Sequence, residues 1–215
     1  MRLRQKPWAD KEFAENPMYI AQPRQLSSRW QELFSNNNPI HLEIGCGKGK
    51  FIVENALRHP DINFLAMEKF EKIVCMALRH AGQTGHLPNL YFFREDAQDI
   101  TEIFSAGELS RIYINFCDPW RARGKWRKRR LTHRDFLAKY ESIMTPAKEI
   151  HFKTDNVPLF DFSVAELEDC GWQLANVTYD LHKSDYADNI KTEYEEKFAA
   201  AGLKICRLEA SKEEG

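Results

Sequence analysis

The sequence contains no C-x-x-C pair, and none of its seven histidines stands at a spacing typical of metal ligands. Its five cysteines are odd in number and widely separated along the chain. These absences argue against a structural zinc site and against a disulfide framework. Because free thiols are typical of proteins in a reducing compartment, we expect a cytoplasmic protein that uses no metal.

Long apolar runs and a large net charge are also absent. No stretch approaches the roughly 18 apolar residues of a membrane-spanning helix, and the N-terminus lacks the apolar core of a signal peptide. The net charge of −1 excludes a general affinity for polyanions, so any binding of nucleic acid must come from local clusters of cations. A chain of 215 residues is long enough to bury the core of one domain.

The first 38 residues differ in composition from the rest of the chain. They contain three prolines and the cations Arg2, Arg4 and Lys6. We expect little regular structure before about Leu26, and we interpret residues 1–38 as a basic, partly flexible N-terminal arm that either drapes over the surface or contacts the substrate. An Asn-Asn-Asn-Pro turn then opens a single domain over residues 39–215.

From residue 40 onward, strand and helix patterns alternate. Short apolar runs predict seven strands, at 40–44, 62–67, 90–93, 112–116, 150–153, 172–179 and 203–208. Apolar residues at helical spacing lie between most of them, so we predict an α/β fold whose mostly parallel sheet is covered on both faces. Thr132 is predicted to cap the helix after the fourth strand, with Asp135 as its reciprocal partner.

A glycine-rich loop follows the first predicted strand and reads Glu43-Ile44-Gly45-Cys46-Gly47-Lys48-Gly49. Glycines at alternate positions let the backbone pass close to a ligand, which is typical of a nucleotide-type site. The P-loop pattern is not matched, and the dinucleotide fingerprint fails because Lys50 stands where it requires glycine or alanine. The carboxylate of Glu43 would repel phosphate and favour a cationic or amino-acid-bearing ligand.

Two further acids follow the next two strands. Glu68 ends the second strand, about 20 residues after the loop, where a carboxylate can accept hydrogen bonds from both hydroxyls of a ribose. Asp96 follows the third strand and could accept a hydrogen bond from the amine of adenine. A single acid of this kind is usually a solvated loop residue. Three acids on one rim, together with the glycine loop, predict a bound adenosyl ligand.

The stretch from 112 to 132 joins an apolar run to a strongly basic loop. Seven of the ten residues from 121 to 130 are cationic: Arg121, Arg123, Lys125, Arg127, Lys128, Arg129 and Arg130. One interpretation is a solvated loop; the other is a patch that follows phosphates, with Trp120 and Trp126 stacking on bases. Asp118 has no histidine or lysine placed to activate it as a nucleophile, but it could accept hydrogen bonds from the Watson–Crick edge of a purine.

Six segments, in order, resemble the bacterial tRNA (guanine-N7-)-methyltransferases over nearly the whole chain. They are residues 2–9, 42–49, 115–120, 128–132, 152–156 and 192–195. The glycine segment alone indicates only a class I S-adenosylmethionine-dependent methyltransferase, whereas the Asp-Pro-Trp, Thr-Asp-Asn and Thr-x-Tyr-Glu segments narrow the resemblance to this family. It implies a Rossmann-like, doubly wound, mostly parallel seven-stranded sheet, S-adenosylmethionine as methyl donor, tRNA as partner and a homodimer as one assembly.

The resemblance also implies a set of site residues. The cofactor set comprises Glu43, Gly45, Gly47, Gly49, Glu68, Lys69, Asp96, Ala97 and Asp118, with Asp118 also at the catalytic position. The substrate set comprises Asp155, Thr192, Glu193, Tyr194 and Glu195. The basic loop departs from the family pattern, since Ala122 stands where the family has a substrate-binding lysine. Arg123 and Lys125 are the candidates to replace that lysine.

The reaction implied by the resemblance is transfer of a methyl group to guanine N7 in the variable loop of tRNA. Guanine N7 carries an in-plane lone pair and no proton, so no general base is required, and catalysis would depend on alignment and electrostatics. Two alternatives stay open at this point. One is a methyltransferase acting on another RNA or on a small molecule, and the other is a non-catalytic RNA-binding module that keeps a methyltransferase fold.

Overall fold

One β-sheet runs through the protein; the computed structural model describes residues 13–213, the side chain of residue 200 excepted. In this part of the chain the strands are β1 (Tyr19–Ile20), β2 (Ile40–Ile44), β3 (Asn63–Glu68), β4 (Leu90–Arg94), β5 (Leu109–Asn115), β6 (Met144–Thr154), β7 (Gln173–Thr178) and β8 (Cys206–Lys212). The order across the sheet is β1-β4-β3-β2-β5-β6-β8-β7. Neighbours from β1 to β6 in this order are parallel, and β8 is antiparallel to β6 and to β7. The predicted α/β fold with a mostly parallel sheet is confirmed.

Helices cover both faces of the sheet. They are α1 (Trp30–Phe34), α2 (Lys50–Arg58), α3 (Glu71–Gly82), α4 (Ile100–Ile103), α5 (Arg134–Ile143), α6 (Val157–Asp169) and α7 (Glu193–Ala200), with short 3-10 helices at Pro23–Leu26, Ala97–Asp99, Gly124–Arg129 and Leu181–Lys183. Because successive strand residues point to opposite faces, Leu65 and Met67 pack in the core with α5 and α6, whereas Phe64 and Ala66 pack in the core with α2 and α3. No helix in the described part of the chain is long and apolar enough to cross a membrane.

The N-terminal segment contributes one strand more than the seven that we expected. Tyr19 and Ile20 of β1 pair with Phe92 and Phe93 of β4, which makes the sheet eight-stranded within the described residues. The expectation of little regular structure before Leu26 is therefore wrong for residues 13–26. A two-residue strand has too few positions to show a period, which is why the sequence pattern does not reveal it. Arg2, Arg4 and Lys6 lie outside the described residues, and the domain boundary at residue 39 stays a prediction.

Trp30 of α1 ties the N-terminal segment to the core. Its side chain is fully buried, and its indole Nε1 donates a hydrogen bond to the Ile103 carbonyl oxygen at 2.9 Å. Its ring packs against the rings of Phe104 and Phe93, with centroids 5.2 and 5.5 Å away. Residues before 39 thus supply one of the largest side chains of the core.

The cap of α5 differs from the prediction. The Nδ1 atom of His133, not the Thr132 hydroxyl, accepts the hydrogen bond from the Asp135 N–H, at 3.1 Å. Thr132 is buried, and its Oγ1 atom lies 2.7 Å from Ser163 Oγ of α6. The helix begins one residue later than predicted because the threonine hydroxyl is engaged in a helix-to-helix contact. That partner is 31 residues away and cannot be read from local pattern.

The parallel strands deliver the predicted site residues to one edge of the sheet. The carboxyl ends of parallel strands lie at the same edge, and in open α/β sheets ligands bind outside that edge. The predicted residues lie at the carboxyl ends of β2 to β6, in chain order: the glycine loop, Glu68 (the last residue of β3), Asp96, Asp118 and Asp155.

Replacing Trp30 by alanine is expected to destabilise the protein strongly. The change removes a fully buried aromatic side chain, which typically costs about 3–5 kcal/mol of unfolding free energy. Urea denaturation followed by circular dichroism measures this loss. The control is Glu32→Ala in the same helix, where the side chain is exposed and forms only a surface ion pair with Arg29. Equal losses in the two variants would contradict the core role of Trp30.

Candidate active site

The glycine loop follows β2 and adopts backbone angles that favour glycine. Gly45, Gly47 and Gly49 have φ values of +77°, +56° and +86°. The backbone N–H groups of Gly45 and Cys46 both donate to the Met67 carbonyl oxygen, at 2.8 and 3.1 Å, which fastens the loop to β3. A Cβ atom at Gly49 would lie 3.1 Å from Ala77 Cβ, so this glycine permits close packing on α3. At Gly45 and Gly47 the same atom would meet nothing, and the space there is open to a ligand.

Glu68 and Asp96 lie on the same rim and are held in place by backbone N–H groups. Glu68 Oε1 accepts from Phe70 N at 3.0 Å, and Oε2 accepts from Gly47 N at 3.4 Å. Asp96 accepts from Gln98 N at 3.1 Å and from Lys69 Nζ at 2.5 Å. Burial would raise the pKa of Asp96, but the hydrogen bond from Lys69 and that from the backbone outweigh it, so this pKa lies below its usual value. Asp96 is thus an ionised acceptor at neutral pH.

A cavity of about 550 Å³ opens beside these acids. Its lining is Tyr19, Ala21, Lys69, Phe70, Arg94, Glu95 and Asp96. The predicted residue Ala97 begins the short helix just beyond Asp96 and packs against the core. Sequence reasoning missed Phe70, which is 54% exposed, and Tyr19, which comes from β1. An exposed aromatic residue directly after two predicted cofactor residues is the signal that could have identified Phe70.

Glu43 is the buried acid of the site. Only 1% of it is exposed, and its Oε1 atom accepts a hydrogen bond from Asn115 Nδ2 of β5 at 2.9 Å. Its Oε2 atom is buried and has no hydrogen-bond partner. Burial raises the pKa of Glu43 to about 8, and the hydrogen bond from Asn115 offsets only part of this effect. An unpaired buried carboxylate oxygen is costly, and a cationic donor group would satisfy it.

Asp118 lies further along this edge than Asp96, on the far side of the glycine loop, where the chain leaves β5. It is exposed, and it follows Phe116, whose backbone N–H donates to the Lys153 carbonyl oxygen of β6 at 2.9 Å. Asp155 follows β6, and its Oδ2 atom lies 3.4 Å from Tyr194 Oη of α7. The ends of β5 and β6 and the start of α7 therefore form one surface beside the acidic rim.

The predicted substrate segment 192–195 divides into anchoring and exposed residues. Thr192 Oγ1 caps α7 by accepting from Glu195 N at 2.9 Å. Glu195 is fully buried, and its carboxylate pairs with the Nζ atom of Lys153 at 2.8 Å. Lys153 is absent from the site residues predicted from the sequence. Tyr194 is 42% exposed, and Glu193 is partly exposed. The structure therefore places Glu193 and Tyr194, rather than Thr192 and Glu195, where a large substrate can reach them; the substrate role of the segment stays a prediction.

The basic loop contains two cations that support its structure. Arg130 is only 3% exposed and donates from Nε and Nη2 to the Trp120 carbonyl oxygen, at 3.0 and 2.8 Å, and from Nη2 to that of Pro119 at 3.2 Å. Arg127 pairs with the buried carboxylate of Glu166 at 2.5 Å. Neither a solvated loop nor a patch that follows phosphates accounts for Arg130, which is buried within the protein. The remaining five are exposed, including Arg123 and Lys125.

Trp120 and Trp126 stack on each other. Their ring centroids are 5.5 Å apart and the ring planes are 12° from parallel. The guanidinium carbon of Arg129 lies 4.8 Å from the Trp120 centroid and 5.0 Å from the Trp126 centroid. Each indole thus packs one face against contacts within the loop, and these contacts support the segment from which the exposed cations extend.

Comparisons with known proteins agree with the geometry of this edge. A family model described as "Putative methyltransferase" matches residues 37–208. The tRNA (guanine-N(7)-)-methyltransferase of Geobacillus thermodenitrificans is 48% identical over 98% of this chain and 97% of its own length. The proteins with the same name from Listeria innocua (48% identity, 98% of each chain) and Lachnoclostridium phytofermentans (45%, 99% of each) match as completely.

Solved structures show the same fold at low sequence identity. A 16S rRNA methyltransferase, KamB, superposes with a TM-score of 0.65 at 15% identity, covering 87% of this chain and 94% of that one. An antibiotic-related methyltransferase gives 0.63 at 17% identity, covering 86% and 92%. At such identity the likeness shows the fold alone, and it is the fold of methyltransferases.

Within the basic loop, Arg130 and Arg123 are expected to respond differently to replacement by alanine. Loss of Arg130 leaves the carbonyl groups of Pro119 and Trp120 without their donors, which should cost about 1–3 kcal/mol of unfolding free energy. Arg123 is exposed, so its replacement should change that energy by less than about 0.5 kcal/mol. Chemical denaturation of both variants measures the difference, and a stable Arg130 variant would contradict the structural role.

Proposed function

This chain belongs to the tRNA (guanine-N(7)-)-methyltransferase family, and we infer from that membership that it transfers a methyl group from S-adenosylmethionine to N7 of a guanine in tRNA. We place the target guanine in the variable loop, as the resemblance of the sequence implies. The proposal depends on one observation. At a single edge of the sheet, the glycine loop and three acids lie beside the start of an exposed basic loop.

The residues of the acidic rim fit S-adenosylmethionine, which supplies an electrophilic methyl group on a sulfonium. The unpaired Oε2 atom of Glu43 suits the ammonium of the methionyl part. Glu68 would accept from the ribose hydroxyls, and Asp96, oriented by Lys69, from the adenine amine. The open space over Gly45 and Gly47 lets the ligand approach the backbone.

Guanine N7 needs no general base, because it attacks with an in-plane lone pair and loses no proton. Positive charge develops on the purine as the new N–C bond forms. We assign to Asp118 the role of accepting hydrogen bonds from the Watson–Crick edge of the guanine and of offsetting that charge with its exposed carboxylate. Alignment by Asp118, Asp155 and Tyr194 then supplies the remaining catalytic effect.

The exposed cations of the basic loop suit the phosphates of tRNA. Arg121, Arg123, Lys125, Lys128 and Arg129 project from a loop fixed by Arg130 and by the paired indoles. Each phosphate contact releases counterions, so binding should weaken steeply as salt is added. Arg123 and Lys125 are our candidates for the cation that replaces the lysine missing at Ala122.

We propose that the protein acts in the cytoplasm, which the five free cysteines support. The homodimer implied by the resemblance stays a prediction.

Asp118→Ala is expected to lower the rate of N7 methylation by roughly 10²–10³-fold, the size of effect seen when one preorganised electrostatic group is removed. Incorporation of labelled methyl groups into tRNA transcripts, followed by mapping of the modified base, measures this. The matched control is Asp61→Ala, an exposed acid in the turn just before β3, at the edge of the sheet opposite to the carboxyl ends where Asp118 lies. A near-wild-type rate in the Asp118 variant would remove this residue from the proposed role.

Binding of S-adenosylmethionine is expected to release a proton and to tighten as pH rises toward 8. The pKa of Glu43, raised by burial to about 8, leaves the carboxyl group neutral below that pH, whereas an ammonium partner favours the ionised form. Affinity should therefore rise by at most about tenfold per pH unit below 8, and it should fall again at higher pH, where the α-ammonium group of the ligand loses its proton. Calorimetry in buffers of different ionisation enthalpy measures the proton, and Glu43→Gln should abolish both the release and the rise in affinity below pH 8.

A further inference from the structure

Two aromatic rings from different parts of the chain meet beside Asp118. Phe116, just after β5, and Tyr194, in the first turn of α7, have ring centroids 5.0 Å apart with planes at 39°. Phe198 stacks on Tyr194 from within α7, at 4.1 Å and 25°. Tyr194 is 42% exposed and Phe116 is partly exposed, so these rings present an apolar surface to solvent at the reaction edge.

The backbone of Phe116 is held in a conformation that disfavours most side chains. Its φ is +52°, in the left-handed region, which a bulky residue adopts only where the surroundings impose it. Its N–H donates a hydrogen bond to the Lys153 carbonyl oxygen, at 2.9 Å, which holds this position against β6. Backbone strain of this kind clusters at functional sites, and here it belongs to an aromatic residue two positions from Asp118.

Lys153 holds both rings in position. Its carbonyl oxygen accepts from Phe116 N, while its buried ammonium group pairs with Glu195, the residue next to Tyr194, at 2.8 Å. The same ammonium group also donates to the Ile190 carbonyl oxygen at 2.8 Å, which ties the chain leading into α7 to the sheet. One residue of β6 thus links the two segments that carry Phe116 and Tyr194.

We propose that Phe116 and Tyr194 form a platform on which the target guanine stacks during methyl transfer. This inference rests on the proposed function and deepens it. Centroids 5.0 Å apart leave no room for a base between the rings, so the base must lie against their exposed surface. The platform begins next to Asn115, the hydrogen-bond partner of Glu43, and thus borders the rim assigned to the methyl donor.

The chemistry of guanine N7 calls for such a surface. Bases in RNA loops can be splayed out of their stacks, and proteins receive such bases on aromatic side chains while they act on the exposed edge. Methylation at N7 also makes the purine cationic, and an aromatic face attracts a cation. The platform therefore binds the base more strongly as charge develops on it, which raises the rate of the chemical step itself.

Phe116→Leu and Phe116→Tyr separate this role from simple packing. Both replacements keep a side chain with a Cβ atom at the strained position, but only tyrosine keeps the aromatic face. Single-turnover methylation of tRNA should fall roughly tenfold in the leucine variant, the size of one cation–π contact, and stay near wild type in the tyrosine variant. Equal rates in the two variants would overturn the platform.

A binding measurement tests the same surface without turnover. With S-adenosylhomocysteine present, wild type should hold tRNA that already carries 7-methylguanine more tightly than unmodified tRNA, and Phe116→Leu should reduce that ratio of affinities. Tyr194→Leu should act in the same direction, whereas Tyr179→Leu, which removes a tyrosine of similar exposure (48%), should not. An unchanged ratio in both platform variants contradicts the inference.

If wild type itself produced no 7-methylguanine, the proposed function would fail instead, so the two failures are distinguishable.

Discussion

Parallel pairing of the central strands is the constraint on which the rest of this protein depends. It sends the carboxyl ends of five strands to one edge, so that residues far apart in sequence become neighbours there. The acids after β3 and β4 serve one half of that edge, and the residues after β5 and β6 serve the other. The buried Glu43 joins the halves, because it reaches Asn115 on the neighbouring strand.

Much of this arrangement could be predicted from the sequence, since it depends on local pattern. The strand and helix alternation, the glycine loop and the acids at strand ends all lie within a few residues of the elements that place them. What could not be predicted depends on partners distant along the chain. Lys153 gains its role from Glu195, and Thr132 loses its capping role to Ser163. The final strand, expected at 203–208, runs over Cys206–Lys212 because pairing with β6 sets its register.

The basic loop shows why charge counts alone do not define a binding surface. Arg127 and Arg130 look like their neighbours in sequence, yet Glu166 and two backbone carbonyl groups engage them. These two cations and the stacked indoles hold the loop in place, so less of its backbone needs to be ordered on binding. Preorganisation of this kind reduces the entropy lost when a flexible polyanion docks.

The pairing of β1 with β4 has a consequence for the order in which the protein assembles. Tyr19 lines the cavity beside Asp96, but its strand partner Phe92 lies about 70 residues further along the chain. During synthesis the first wall of that cavity therefore emerges from the ribosome well before the strand that it must join. Closing so long a loop for a two-residue ladder gains little by itself. We expect β1 to dock after the central strands have formed, and a nucleoside held in the cavity would favour that last step.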